Sequence, residues 1–369
     1  MLGPFPQQEF FSLHERLVLT PGPSHGEGPR RALLREFLGR HGVAADEDEA
    51  GNLSVRLGGP GAWAETVVLD AHIDVVERGY AERVLRTAET LTGLGVGDNL
   101  TAVALLALAT VRLARQPLSC RRPVLVLFSV GEEGLGNLCG MRHVVARQPG
   151  SPYLLVSFDG SADHCSMTGL GSRRFRFRVS CAGGHSWSSF GAPNAIEVLV
   201  DALGAVKARY LEACQAATPV LTFNLGTIRG GEGINSIARE ADATFEFRSV
   251  SEPLLDAMGT VVARVAESVG GVAEVAVQYE CIGARPAAAP VEAERVSALV
   301  LPAWEPLGRT PTERPMSTNI NPALAAGWPA ICVGLCTPRH SHREDEEVLL
   351  ASIEPGWQCL DRLWLRLQA

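Results

Sequence analysis

Four short apolar runs constrain this chain more than any other feature, because each leads into ionisable residues. Val67-Val68-Leu69 runs into Asp70-Ala71-His72-Ile73-Asp74, and Val124 to Phe128 leads to Gly131-Glu132-Glu133-Gly134. Leu154 to Phe158 stops at Asp159-Gly160, and Ile331 to Leu335 is followed by His340-Ser341-His342. Continuous runs of this length fit strands buried on both faces, as in a parallel sheet covered by helices. Helical periods supply the cover. Arg30 to Leu38 places Leu33, Leu34, Phe37 and Leu38 on one face before Gly42, and Thr101 to Leu113 is rich in Ala and Leu throughout. Ligands of such sheets collect outside the carboxyl ends of the strands. The acids and histidines are therefore expected to share one crevice.

The segment between the third and fourth runs has another rhythm. Arg174-Phe175-Arg176-Phe177-Arg178-Val179 alternates strictly, giving one apolar and one charged face. A helix over 194–210, strands over 221–228 and 241–248, a helix over 254–268 and a strand over 273–279 follow. That β-α-β-β-α-β order is the split βαβ arrangement of a small α+β domain. The expected division is 1–171 as the first catalytic part, 172–285 as an insert and 286–369 as the second catalytic part. With 369 residues, 46% hydrophobic and 20% charged, the chain can bury a sizeable core, which excludes a disordered protein. A net charge of -8 argues against a nucleic-acid partner. Nine cysteines without a C-x-x-C pair fit reduced thiols in the cytoplasm. The most apolar stretch, Thr101 to Ala114, is too short to span a membrane and contains Arg112. The segment Met1 to Pro6 lacks the basic and apolar regions of a secretory signal.

Alternate residues of a strand share a face, so Asp74 can hold the second nitrogen of a metal-binding His72 imidazole. Alone, the pair reads first as a surface His beside an Asp. The run Gly93 to Asp98 misses the G-x-G-x-x-G spacing of a dinucleotide loop, because Asp98 takes the last glycine's position. Its glycines either shape a loop that presents Asp98 or precede a simple helix cap. Glu132 and Glu133 repel each other unless a cation or solvent intervenes. A metal would bind one and leave the other free as a base. Together these residues offer a carboxylate-rich two-metal site with one imidazole per metal. Oxygen and nitrogen ligands without thiolate suit zinc, manganese or cobalt. Cys332 and Cys139 are expected to be small buried hydrophobes.

These motifs resemble those of the M20 family of metallopeptidases and related amidohydrolases. The matching stretches are Asp70-Ala71-His72-Ile73-Asp74, Gly97-Asp98-Asn99, Gly131-Glu132-Glu133-Gly134, Phe158-Asp159-Gly160, Gly183-Gly184-His185-Ser186 and the C-terminal histidine segment. The Gly-Asp-Asn loop and the Asp-Gly strand end look most like the aminotripeptidase branch. The resemblance implies a zinc-peptidase-like α/β fold with an inserted ferredoxin-like lid and dimerisation domain. It implies two divalent metal ions, zinc first, with manganese or cobalt as alternatives. His72, Asp98 and Asp159 would hold one; Asp98, Glu133 and His342 would hold the other. Asp74 would orient His72, and Glu132 would be the general base that passes a proton from the attacking water to the leaving amine. His185 would reach across from a partner subunit to stabilise the oxyanion. Asn235 and Arg248 would hold substrate, the Arg fork suiting a carboxylate.

His342 is preferred over His340 because Glu346 and Val348 follow it at the family's spacing. The family also implies a cis peptide at Asp98-Asn99. One departure stands out: in Ser317-Thr318-Asn319-Ile320-Asn321, Asn319 sits where the family has Asp. The expected activity is aminopeptidase action on short peptides in a homodimer. An N-acyl amino acid deacylase and a catalytically silent peptide binder are the alternatives.

Overall fold

A computed structural model describes residues 1–369 apart from 60, 77, 116–121, 217–219, 272, 273, 309 and 369, and the side chain of 216. Two compact units emerge, Met1–Gly169 with Ala289–Ala369, and Leu170–Ala288.

The first unit is built on the apolar runs. They form the strands Val67–His72, Val124–Ser129, Leu154–Ser157 and Ala330–Val333, every residue of which is buried. Val67 pairs in parallel with both Val124 and Leu154, and Ala330 pairs in parallel with Leu155. The four strands therefore end at the same edge. Leu53–Leu57 extends the sheet antiparallel on one side and His164–Ser166 on the other. The expected helices are Gly28–Arg40 and Leu100–Ala114; in the latter all but two residues are buried, as its uniform Ala/Leu content requires. Burying one Leu or Phe side chain is worth about 1.5–3 kcal/mol. That term, repeated along these runs, holds the sheet shut. Cys332 lies buried in its strand, whereas Cys139 is only half-buried and opens the helix Cys139–Arg147. The expectation for Cys139 is corrected because it begins an element near the surface.

The second unit is an antiparallel four-stranded sheet in the order Leu221–Gly230, Glu240–Ser249, Gly171–Cys181, Val275–Arg285. Helices Ala195–Ala216 and Glu252–Gly270 accompany it. The β-α-β-β-α-β order matches the alternation read from the sequence. Ala273, the expected start of the last strand, lies outside the described residues. Phe175, Phe177, Phe245 and Phe247 fill the covered face, with the Phe177 and Phe245 rings 5.1 Å apart and edge-on. The Ser251 hydroxyl caps the second helix by accepting the Leu254 N–H.

Candidate metal centre

The parallel register delivers side chains to one edge of the sheet. His72 is the last residue of its strand, Glu132 and Glu133 follow Ser129 after two residues, and Asp159 follows Ser157 after one. Asp98 precedes the Leu100–Ala114 helix, and its peptide bond to Asn99 is cis, as the resemblance implies. The Asn99 amide donates to the Phe158 carbonyl at 2.7 Å, tying that turn to the residue before Asp159.

Two imidazoles face these carboxylates. His72 Nε2 lies 3.4 Å from Asp98 Oδ1 and 3.6 Å from Asp159 Oδ1. His342 Nε2 lies 3.2 Å from Asp98 Oδ2 and 3.1 Å from Glu133 Oε1. Asp98 thus offers one oxygen to each histidine. His340 is instead turned to Asp345, 3.6 Å away. His342 is thus the C-terminal histidine brought to these carboxylates; both it, at φ 69°, and His340, at φ 56°, are left-handed, a conformation worth about 1–2 kcal/mol of strain in a non-glycine residue.

Asp74 organises the approach. Its carboxylate accepts the backbone N–H groups of Glu132 at 3.0 Å and Glu133 at 2.8 Å, and the Ser24 hydroxyl at 2.7 Å. Asp74 Oδ1 also lies 3.4 Å from His72 Nδ1. The backbone carbonyl of Asp74 lies closer still to His72 Nδ1, at 3.1 Å, so this residue contacts the imidazole through its main chain and fixes the Glu pair through its carboxylate. Gly131 sits at φ 64°, and a Cβ there would meet the Cys139 sulfur at 2.2 Å, so this turn requires glycine. Its N–H donates to Glu27 Oε1 at 3.0 Å. Glu346 accepts the N–H groups of Gly97 at 2.7 Å and Asp98 at 2.8 Å, bracing the loop that presents Asp98.

The electrostatics describe a site built for cations. Burial works against a charge on His72, but Asp159, Asp74 and Asp98 outweigh it and hold its pKa well above the ordinary value. Asp98 and Glu133 push His342 up to about 11. Burial raises Asp98, yet His342 and His72 bring it well below the usual carboxylate range. Burial and the nearby Asp98 push Glu133 up. The donor set fits divalent metal on a direct observation: His72 Nε2 is buried without a hydrogen-bond partner among the described residues. Ligand atoms of His72, Asp98 and Asp159, and again of Asp98, Glu133 and His342, lie within 4.8 Å of one another. Hard oxygens with imidazole nitrogen suit zinc, manganese or cobalt.

His185, Asn235 and Arg248 lie in the second unit. The short ladder Gly184–His185 with Ser236–Ile237, and the Ser186 N–H donated to the Asn235 carbonyl at 3.0 Å, bring His185 and Asn235 into one exposed turn. Trp187, Phe190 and Ile234 are almost fully exposed around it. Arg248 is engaged by its own strand, donating to Glu246 at 2.7 and 3.3 Å. Sequence reasoning missed Ser24 and Glu27, whose only signal was the Pro- and Gly-rich run from Pro21 to Pro29 around the start of the next helix, and Ser129 and Ser157, two of the buried partners of Asp70.

Residues 68–366 match the model of peptidase family M20/M25/M40. A protein of Ajellomyces dermatitidis named "Probable carboxypeptidase" is 25% identical over 301 residues, 73% of this chain and 68% of that one. The fold is shared with the aminopeptidase PepT of Bacillus cereus (TM-score 0.74, 17% identity, 100% of both chains). It is shared too with a Staphylococcus aureus tripeptidase (TM-score 0.77, 18% identity, 100% of both chains). With this fold, the shared motifs and that match, the chain is a hydrolytic enzyme of the M20/M25/M40 peptidase family.

Proposed function

We propose that this enzyme is a two-metal exopeptidase that releases the N-terminal residue of short peptides. The observation that carries the reading is the pair of ligand triads sharing Asp98, with one imidazole in each. His72, Asp98 and Asp159 would hold one divalent ion; Asp98, Glu133 and His342 would hold the other, with zinc the first choice. When bound, the ions lower the pKa of water and polarise the scissile carbonyl.

The remaining steps belong to the chain. Asp74 holds His72 and the Glu132–Glu133 backbone in place. Glu132 accepts the proton of the attacking water and returns it to the leaving nitrogen, so no charged amide anion is expelled. His185 of the partner subunit donates to the developing oxyanion, which for one good donor is worth about 3 kcal/mol. Asn235 and Arg248 hold substrate, a substrate carboxylate replacing Glu246 on the Arg248 fork. The inserted unit serves as lid and dimerisation domain, supported by exposed Val200 and Leu211 on its first helix. We place the enzyme in the cytoplasm on the eight free cysteines among the described residues. No helix among the described residues is long and apolar enough to cross a membrane.

A second reading, release of the C-terminal residue, is favoured by Arg248 and by the name of the fungal relative. An N-acyl amino acid deacylase would use the same centre. A mass-spectrometry time course separates all three. Di- and tripeptides and N-acetyl amino acids are incubated with enzyme loaded with zinc, manganese or cobalt, beside a chelated control. Metal-dependent loss of N-terminal residues is the expected result; C-terminal release or acyl loss alone overturns the aminopeptidase reading. In metal analysis, His342→Ala is expected to lower the bound metal and His340→Ala to leave it unchanged. The reverse pattern reassigns the ligand.

A further inference from the structure

Asp70 opens the Asp70-Ala71-His72-Ile73-Asp74 run, yet the chemistry above gives it no task. It is fully buried. An ionised carboxylate tolerates such a place only when its lone pairs are filled. Three donors from three elements fill them. The Ser129 hydroxyl reaches Oδ1 at 2.6 Å, while the Ser157 hydroxyl and the Asn319 amide reach Oδ2 at 2.8 and 3.0 Å. The same Asn319 nitrogen donates to the Ser129 oxygen at 2.8 Å, leaving that hydroxyl's proton for Asp70.

The position of these donors matters. Ser129 ends the strand that leads to Glu132 and Glu133, Ser157 ends the strand that leads to Asp159, and Asp70 shares a strand face with His72. One carboxylate therefore ties together three of the strand ends that carry the centre. The network also explains why Asn319 replaces an acid. An Asp at that position would set two buried carboxylates within hydrogen-bonding distance, and like charges so placed repel.

We propose that Asp70, paired with Asn319, is a positioning residue of the cation centre. It holds the strand ends carrying His72, Glu132–Glu133 and Asp159 in register. Asp70 touches neither substrate nor metal. The inference rests on the reading that the centre binds divalent cations.

Zinc titration of chelator-stripped enzyme by calorimetry tests it, with melting temperature and peptide turnover measured in parallel on Asp70→Asn and on the exchange variant D70N/N319D. Asp70→Asn sets an NH2 group where a carboxylate oxygen accepts from these donors, and is expected to weaken zinc binding about 10- to 100-fold, the usual cost of disturbing a partner behind a ligand. The exchange variant restores an acid–amide pair at the same spot and is expected to recover most of that loss. Asp70→Asn with wild-type affinity and turnover overturns the proposal, as does a folded exchange variant that stays as weak as the single variant. Should Asp70→Asn fail to fold, the exchange variant decides in the same way. Should neither fold, Ser157→Ala decides, weaker zinc binding supporting the proposal and wild-type affinity overturning it. Wild-type enzyme that takes up no metal overturns the two-metal reading itself, a result distinct from any of these.

Discussion

The two sheets of this protein handle polarity in opposite ways. In the first unit the parallel strands are buried residue by residue, so polar groups are few and stand toward their carboxyl ends. There each must find a buried partner, as Asp74 does in the Glu132 and Glu133 amides and Ser24. The inserted sheet buries alternate residues, with Phe175, Phe177, Val179, Ala243, Phe245 and Phe247 on the covered face, and Arg174, Glu246 and Arg248 form an ion-pair row among partly exposed side chains. Its His185 turn stands in solvent, held by backbone hydrogen bonds. The polar groups of the first unit are thus tied into its buried network, whereas those of the His185 turn are not. Surface ion pairs contribute little stability, and exposed side chains leave no unpaired buried group when removed.

The sharpest challenge to that contrast is Glu132→Gln. The amide keeps the side chain's size and polarity but cannot take a proton, so turnover is expected to fall about 10²–10⁴-fold with metal content unchanged. Steady-state kinetics and metal analysis on the same sample check both halves. Next, His185→Ala is expected to lower kcat about 10²–10³-fold without moving the melting temperature. A lowered melting temperature would show that the second unit's chemistry is tied to its fold after all.

Acid titration sharpens the contrast from the other side. His14 is fully buried, with Nε2 2.8 Å from the Val96 carbonyl, and burial depresses its pKa from 6.5 to about 4. Between those values the unfolded chain binds the proton and the folded chain does not. Its stability contribution is therefore present above 6.5 and is lost as pH falls toward 4, by about 3 kcal/mol in all. Urea unfolding of wild type and His14→Gln at pH 7 and pH 4.5 should show a steeper acid loss in wild type. Equal slopes would remove His14 as the cause. The smallest effect is expected from Ser24→Ala, which deletes one of three hydrogen bonds to Asp74 and costs about 1 kcal/mol in thermal unfolding. A loss several times larger would mean that Ser24 anchors the Pro21–Glu27 loop more firmly than the Glu27–Gly131 hydrogen bond does.

Much of the fold was legible because its signals are local. An unbroken apolar run is a strand that sees no water on either face, and the Arg174–Val179 alternation is a strand that sees water on one. The candidate metal ligands were legible for the same reason, since each stands within a few residues of a strand or helix end. Arg248 shows the limit of that approach. Its sequence context suggests a fork waiting for a carboxylate, yet Glu246, two residues away on the same strand face, already occupies it.

The sequence by itself determined the order of elements, the split βαβ insert and the set of acids and histidines gathered at one sheet edge. These follow from periodicities of two and 3.6 residues and from what can terminate a buried strand. Only the tertiary structure decided which C-terminal histidine meets Asp98 and Glu133, and which groups steady the centre from behind. Asn319 lies 249 residues from the Asp70 it serves, and Glu346 lies 248 residues from the Asp98 amide it accepts. Such partners are chosen by the need to satisfy buried polar atoms once the sheet has closed, and no local pattern in the chain records that choice.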